Sequence, residues 1–453
     1  MAIRFDDSLP TLVRIISERM GSEILSSGVI LRDTTGRLAF FIDKPIDEAT
    51  IEKLSASLRI ALGGYARTDR IVASKDDFGV ADILGDSSAQ IVRVGDHTLR
   101  LLDRRLVGID WLRAPSPAAP PPPRFVFSSL KGGVGRSTAL AVAAAHLAAR
   151  GQRVLAVDLD MEAPGLGALL LDEITVPEFG LIDALVENGL SPLDDTFLAD
   201  LVGPSELTGR YGRIDVIPAF GRRSLNNPGD ILAKIARAYT ERILEDGTTL
   251  TLLDQVRGLI DIFSESKRYD VVLIDSRAGL HETTAAAVLG LGAEVFLFGL
   301  DEAQTFQGYS ALFAHFARFL PAEGTIPEWV DRITMVQGRA PQDPDHRTVF
   351  GEKCQALFNL IRPSQGSSQT SVPLPAEPFR DVPWDEDVKD EELTLDDTLN
   401  ARETIAILED DRFRLFQPST RRELLSEPVY QSSFGVFLNR VSEAFEAITE
   451  SSP

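Results

Sequence analysis

Residues 125–151 read FVFSSLKGGVGRSTALAVAAAHLAARG, and the reading of this stretch decides the fold. A short apolar strand ends at Ser129, a glycine-rich turn follows, and an alanine-rich helix starts near Arg136. Gly132, Gly133 and Gly135 have no Cβ, so the backbone N–H groups around them can wrap closely round a phosphate. The helix N-terminus brings the positive end of its dipole to the same place. Ser137 sits where a hydroxyl reaches Mg2+, and Gly151 is a natural helix stop. A glycine-rich turn without a ligand is the competing reading, and the order strand, glycines, basic residue, Ser-Thr, helix weighs against it.

The pattern continues outward. Phe125–Ser129, Val154–Asp158, Ile214–Pro218, Val271–Asp275, Val295–Leu300 and Ile333–Gln337 read as strands separated by helical stretches. Continuous apolar strands spaced by helices predict an α/β fold with a mostly parallel sheet buried on both faces. Two of the strands end in acids. In VLAVDLDMEAPGLG (154–167) Asp158 closes the strand and Asp160 lies two residues on; in YDVVLIDSRAGL (269–280) four apolar residues lead to Asp275. An aspartate at such a strand end can hold Mg2+ directly or through water. Capping of the following turn is the alternative for Asp158 and Asp160.

The chain has 453 residues, of which 44% are hydrophobic and 25% charged. This is ordinary globular usage and argues against a disordered or fibrous chain. There is no run of 18 apolar residues, so no spanning helix is expected. MAIRFDDSLP carries acids where a secretory signal needs an apolar core, and Cys354 is the sole cysteine; together they point to the cytoplasm and away from disulfides or a cysteine metal site. A net charge of −22 repels nucleic acid and anionic lipid at long range. The proline-rich APSPAAPPPP, residues 114–123, reads as a stiff spacer. It separates a small α+β module, residues 1–113, from residues 124–453. In the module, Val29–Leu31 and Leu38–Ile42 flank the turn DTTGR, Ile51, Leu54, Leu58 and Leu62 make a helical stripe, and Val92 to Leu102 holds a second hairpin around Gly95-Asp96. No chemical motif occurs there, and a docking or dimerising role is the expectation. In the C-terminal part, residues 363–378 read as a loop, residues 385–397 as an acidic run, and Phe437, Val441, Phe445 and Ile448 as one face of a final helix.

KGGVGRST departs from the standard loop G-x-x-x-x-G-K-[ST]: Leu130 takes the first Gly position and Arg136 the Lys position. With Lys131 at the start of the loop, the sequence resembles the deviant-Walker-A P-loop ATPases of the MinD/ParA type, in their KGGVGR variant. The resemblance runs over residues 124–388, with a longer insertion than usual between Gly165 and Tyr269. It implies a P-loop NTPase fold, ATP and Mg2+ as cofactors, slow ATP hydrolysis, and an ATP-sandwich homodimer that controls a protein partner. Lys131 then reaches the partner subunit's phosphates, and Asp160 orients the attacking water. Gly132, Gly133, Val134, Gly135, Arg136, Ser137 and Thr138 hold the nucleotide, and Ser137, Asp158 and Asp275 surround the metal. Fainter matches are IDVIPAF (214–220), LFGLDEAQTFQGYSALF (297–313), MVQGRA (335–340), which puts Gln337 on the adenine side, and VPWDEDV (382–388), with Trp384 near the base or in the core. Arg277 stands where the family has Pro, and is read evenly as a phosphate sensor or an ion-pair partner.

Arg136 divides the functional reading. A guanidinium stays charged and can hold phosphate through two parallel N–H bonds, but it is bulkier than an ammonium. The first reading is therefore a slow ATPase with Lys131, Asp160 and Arg136 as catalytic residues, and the second a non-hydrolysing nucleotide-binding scaffold. A DNA-partition role is disfavoured by the charge, with Arg222-Arg223 and Arg421-Arg422 as the small basic clusters. The tail FGVFLNRVSEAFEAITESSP is acidic on its polar face, so it is expected on the domain and not on a membrane.

Overall fold

The structure, a computed structural model, describes residues 3–105, 107–188, 193–207, 211–244, 248–321, 325–362 and 404–450. The stretches 363–378, 382–388 and 385–397, with Trp384, lie outside the described residues. The chain divides into two compact units, Met1–Arg113 and Ala114–Pro453.

The first unit carries strands β1 (Val29–Arg32), β2 (Leu38–Ile42), β3 (Val72–Ser74), β4 (Gln90–Val94) and β5 (His97–Asp103), in the sheet order β3-β2-β1-β5-β4. The β1–β2 turn forms because one Asp33 carboxylate oxygen accepts from the Thr35 and Arg37 amides while Gly36 takes φ +88. The helix Glu48–Leu62 starts where Asp47 accepts from the Thr50 amide, and it buries Leu54, Leu58 and Leu62. A further helix, Phe5–Met20, packs Leu12, Val13, Ile15 and Ile16 into the same core. Its acidic first turn, read only as the absence of a signal peptide, suits the positive end of the helix dipole.

The second unit is built on strands β6 (Arg124–Ser129), β7 (Arg153–Asp158), β8 (Gly203–Pro204), β9 (Arg213–Ile217), β12 (Val271–Ala278), β13 (Glu294–Gly299), β14 (Ile333–Ala340) and β15 (Thr404–Leu408), with a small separate hairpin of β10 (Arg242–Ile243) and β11 (Thr249–Leu250). The sheet runs β15-β14-β13-β6-β12-β7-β9-β8, with every neighbour pair parallel except β8 and β9. Helices flank it, and the glycine turn joins β6 at the sheet centre to the helix Arg136–Ala149. This is the P-loop NTPase fold, and its strand order brings the carboxyl ends of β6, β7 and β12 side by side. Residues 129–138, 158–160 and 275 converge there.

The C-terminal helix Glu427–Glu450 packs on this sheet: the Phe437 ring lies 6.0 Å from Phe127, 5.2 Å from Phe296 and 6.0 Å from Phe298. Burying a side chain of this size contributes about 1.5–3 kcal/mol. The proline-rich stretch, read as a stiff spacer, is pinned along the same unit. Its Ser116 amide donates to Leu289 (2.7 Å), its Ala119 amide donates to Gly292 (2.9 Å), and Arg257 donates to the Ser116 hydroxyl (2.8 Å). Gly292 at φ +58 allows the close approach, since a Cβ there would meet the Pro117 carbonyl oxygen. No described helix is long and apolar enough to cross a membrane.

Candidate functional site

The turn between β6 and its helix has the conformation its glycines predict. Gly133 and Gly135 take φ +78 and +88, a region other residues rarely adopt. A Cβ built on Gly132, Gly133 or Gly135 meets nothing within 4 Å. The loop surface is therefore bare backbone facing open space, which fits a phosphate chain held by amides and by the helix N-terminus. Residues 132–138 form one wall of a cavity of about 290 Å3. Gly338, Arg339, residues 407–411, Phe413 and Arg414 form the other. The two walls touch: a Cβ on Gly338 would collide with the Val134 carbonyl oxygen. The lining combines the loop with Arg136, Ser137 and Thr138, the charged Glu409, Asp410, Asp411 and Arg414, and the apolar Ile407, Phe413, Phe416 and Phe434.

Below the loop lies a charged network. Asp275 is directly opposite Phe127 on β6 and Asp158 on β7. The Ser137 hydroxyl donates to Asp275 Oδ2 at 2.6 Å, and Arg136 Nε stands 2.5 Å from Asp275 Oδ1. The Arg136 guanidinium also reaches Asp160 Oδ2 (3.4 Å) and the Ser129 hydroxyl (3.3 Å). Arg136 is 10% exposed and Asp275 1%. The Nε–Oδ1 contact is close but badly directed, so neither atom has a well-formed hydrogen bond. Ser137 and Asp275 are a hydroxyl and a carboxylate in contact, oxygen donors of the kind that Mg2+ takes.

Asp158, expected near the metal or as a cap of the following turn, is engaged by backbone amides. Its carboxylate accepts from the amides of Asp160 (3.0 Å), Gly165 (3.2 Å) and Leu166 (3.0 Å), which ties down the loop after β7. Asp160 Oδ1 likewise accepts from the Ala163 amide at 3.1 Å, leaving Oδ2 toward Arg136. Both acids thus cap the turn. Burial raises the Asp158 pKa to about 7, with the charge of Asp275 adding to it. Burial raises that of Asp275 too, against the opposing pull of Arg136.

Lys131 points away from this cluster. Its ammonium pairs with Glu302 at 2.7 Å, and both side chains are more than 40% exposed. Gln337, expected on the adenine side, lines a separate cavity with Arg347 and Thr404. Side chains alternate along a strand, so its neighbour Gly338 faces the loop instead. Arg277 is an ion-pair partner: Glu162 accepts from it at 2.8 Å and from the Tyr239 hydroxyl at 2.6 Å. His281 lies 4.0 Å from the same carboxylate, and burial followed by the Arg277 charge pushes its pKa down. The other arginine clusters are also engaged, Arg222 with the Ile174 and Val176 carbonyls, Arg223 with Glu178, Arg421 with Glu423 and Arg422 with Glu206.

Sequence reasoning missed Glu302, Glu162, Gly338 and the wall 407–414. Gly338 carried a usable signal, since an isolated glycine at a strand end marks a close approach of backbones. Asp410 beside it, held well below the usual carboxylate range by Arg412 and Ser433, carried none.

No family model matches the chain and no curated protein does. Among solved structures, it is similar to a putative plasmid partition protein from Borrelia burgdorferi B31 bound to AMPPNP, with 17% identity, 73% of this chain and 99% of that one covered, and a TM-score of 0.40. It is similar to MinD, the septum site-determining protein of Pyrococcus horikoshii OT3, complexed with Mg-ADP, with 16% identity, 71% and 95% covered, and a TM-score of 0.37. It is also similar to pNOB8 ParA bound to nonspecific DNA, with 14% identity, 73% and 99% covered, and a TM-score of 0.40.

Proposed function

We propose that the chain is an ATP-binding nucleotide switch, a slow Mg2+-dependent ATPase that works as an ATP-sandwich homodimer and controls a protein partner. The observation that carries this reading is the two-walled cleft, with bare loop amides at 132–138 on one side and, in its lining, Ser137, whose hydroxyl donates to the buried Asp275 behind it. The amides of residues 132–138 would take the phosphate oxygens, with Ser137 and Asp275 holding Mg2+. The bound ion would neutralise phosphate charge. Asp160, with one oxygen outside the turn it caps, would orient water. Lys131, exposed at the loop's edge and paired with Glu302, would leave that partner for a second subunit's phosphates.

Arg136 supports a second reading, a scaffold that binds nucleotide and scarcely hydrolyses it, because its guanidinium is directed at Asp275 and Asp160. Calorimetry with ATP and a phosphate-release assay on the full chain separate the two. Binding with turnover that falls in Lys131→Ala and Asp160→Ala supports the switch. Tight binding without phosphate release selects the scaffold, and no nucleotide binding refutes both. Salt-sensitive DNA binding in the ATP state would make nucleic acid the partner.

A further inference from the structure

The residue at position 136 has a consequence for metal loading. Three buried carboxylates, Asp158, Asp160 and Asp275, lie at the ends of β7 and β12, and among the described residues the cation that pairs with Asp160 and Asp275 is Arg136. Its guanidinium reaches Asp275 and Asp160 together, with Ser129 as a third contact. Both Asp275 oxygens are thereby approached, Oδ1 by the Arg136 charge without a well-formed hydrogen bond and Oδ2 by the Ser137 hydroxyl. A divalent cation that takes Ser137 and Asp275 as ligands must approach the carboxylate that the guanidinium already neutralises. Two cations competing for one buried carboxylate repel each other strongly where water cannot screen them.

We propose that Arg136 is a positioning residue that stands in for the metal in the nucleotide-free protein, and that Mg2+ loads only after phosphate oxygens draw the guanidinium off Asp275. This rests on the nucleotide-site reading above. An ammonium would serve less well, because a compact charge cannot span Asp275, Asp160 and Ser129 together.

The test is Mn2+ binding to the full chain, read by electron paramagnetic resonance without nucleotide, for wild type, Arg136→Ala and Arg136→Lys. Wild type should bind no Mn2+ at concentrations where Arg136→Ala binds it at least tenfold more tightly, with Arg136→Lys between them. Mn2+ alone should raise the melting temperature of Arg136→Ala and leave that of wild type unchanged. If Arg136→Ala does not fold, Arg136→Lys against wild type carries the comparison. Equal Mn2+ affinity in all folded proteins without nucleotide overturns the proposal. ATP binding is measured beside it: its loss in wild type refutes the site reading, while ATP binding with unchanged metal behaviour refutes only the role of Arg136.

Discussion

Gly338 offers the most direct test of how the cleft is built. It lies buried near the end of β14 and faces the carbonyl of Val134 in the glycine loop, with no room for a Cβ between them. In Gly338→Ala the methyl must displace either the strand end or the loop. Inserting one carbon into a packed contact costs about 1–3 kcal/mol. The loop faces open space on its other side, so it moves more readily than a strand paired with both β13 and β15. If the whole displacement falls on the loop, nucleotide affinity drops about 5- to 150-fold, at 1.4 kcal/mol per decade. The assay is titration with a fluorescent ADP analogue beside thermal unfolding. Gly351→Ala is the control: it lies in the helix Pro344–Phe358 with nothing within 4 Å of its Cβ, and it should leave affinity unchanged. Affinity within twofold of wild type in Gly338→Ala would refute the claim that this strand end buttresses the loop.

Three further outcomes are expected. Phe437→Ala should lose about 3–5 kcal/mol in urea unfolding, since Phe437 is buried against three rings of the sheet, while the exposed Val436→Ala should change stability by less than about 0.5 kcal/mol; equal effects would contradict the packing of the last helix. Burial and the Arg150 charge lower the His146 pKa from 6.5 to about 4, so the unfolded chain takes the proton first and stability falls as pH drops through that window; His146→Gln should flatten this limb of the melting-temperature profile. Arg136→Met should cost about 3–5 kcal/mol by leaving Asp275 buried and unpaired, and Arg136→Met with Asp275→Asn should cost less than the sum of the two singles. Additivity within about 0.5 kcal/mol would show that the two groups are not coupled.

Much of the second unit was legible because its signals are local. Strand, glycine turn and helix at 125–151 follow from side-chain size and backbone freedom over a few residues, and the apolar runs of β7, β12 and β13 need no distant context. The Glu48–Leu62 helix was readable from its stripe for the same reason. What escaped was set by long-range pairing. β15 is five residues long and earns its place only beside β14, whose Met335, Val336 and Gln337 it matches in register. The wall at 407–414 depends on that pairing, so no local pattern in the sequence announces it. Asp158 was assigned to the metal because an acid at a strand end looks the same whether it faces an ion or three backbone amides. Only the fold decides which donors reach it.

The choice between hydrolysis and mere binding turns on one geometric question. A carboxylate prepared to orient water needs a free oxygen and a negative charge. Asp160 has one oxygen on the Ala163 amide and the other 3.4 Å from Arg136. While the guanidinium stays there, that second oxygen is an ion-pair partner and a poor proton acceptor. The same would hold for Asp275 as a metal ligand. On the proposed reading, both functions would begin with one event, the departure of Arg136 from the acids toward phosphate. A guanidinium favours phosphate because it can meet two oxygens at once, but it leaves behind buried carboxylates that must gain a metal or a proton. On that proposal nucleotide, arginine and metal are linked, and a chain that bound ATP without moving Arg136 would keep the acids locked.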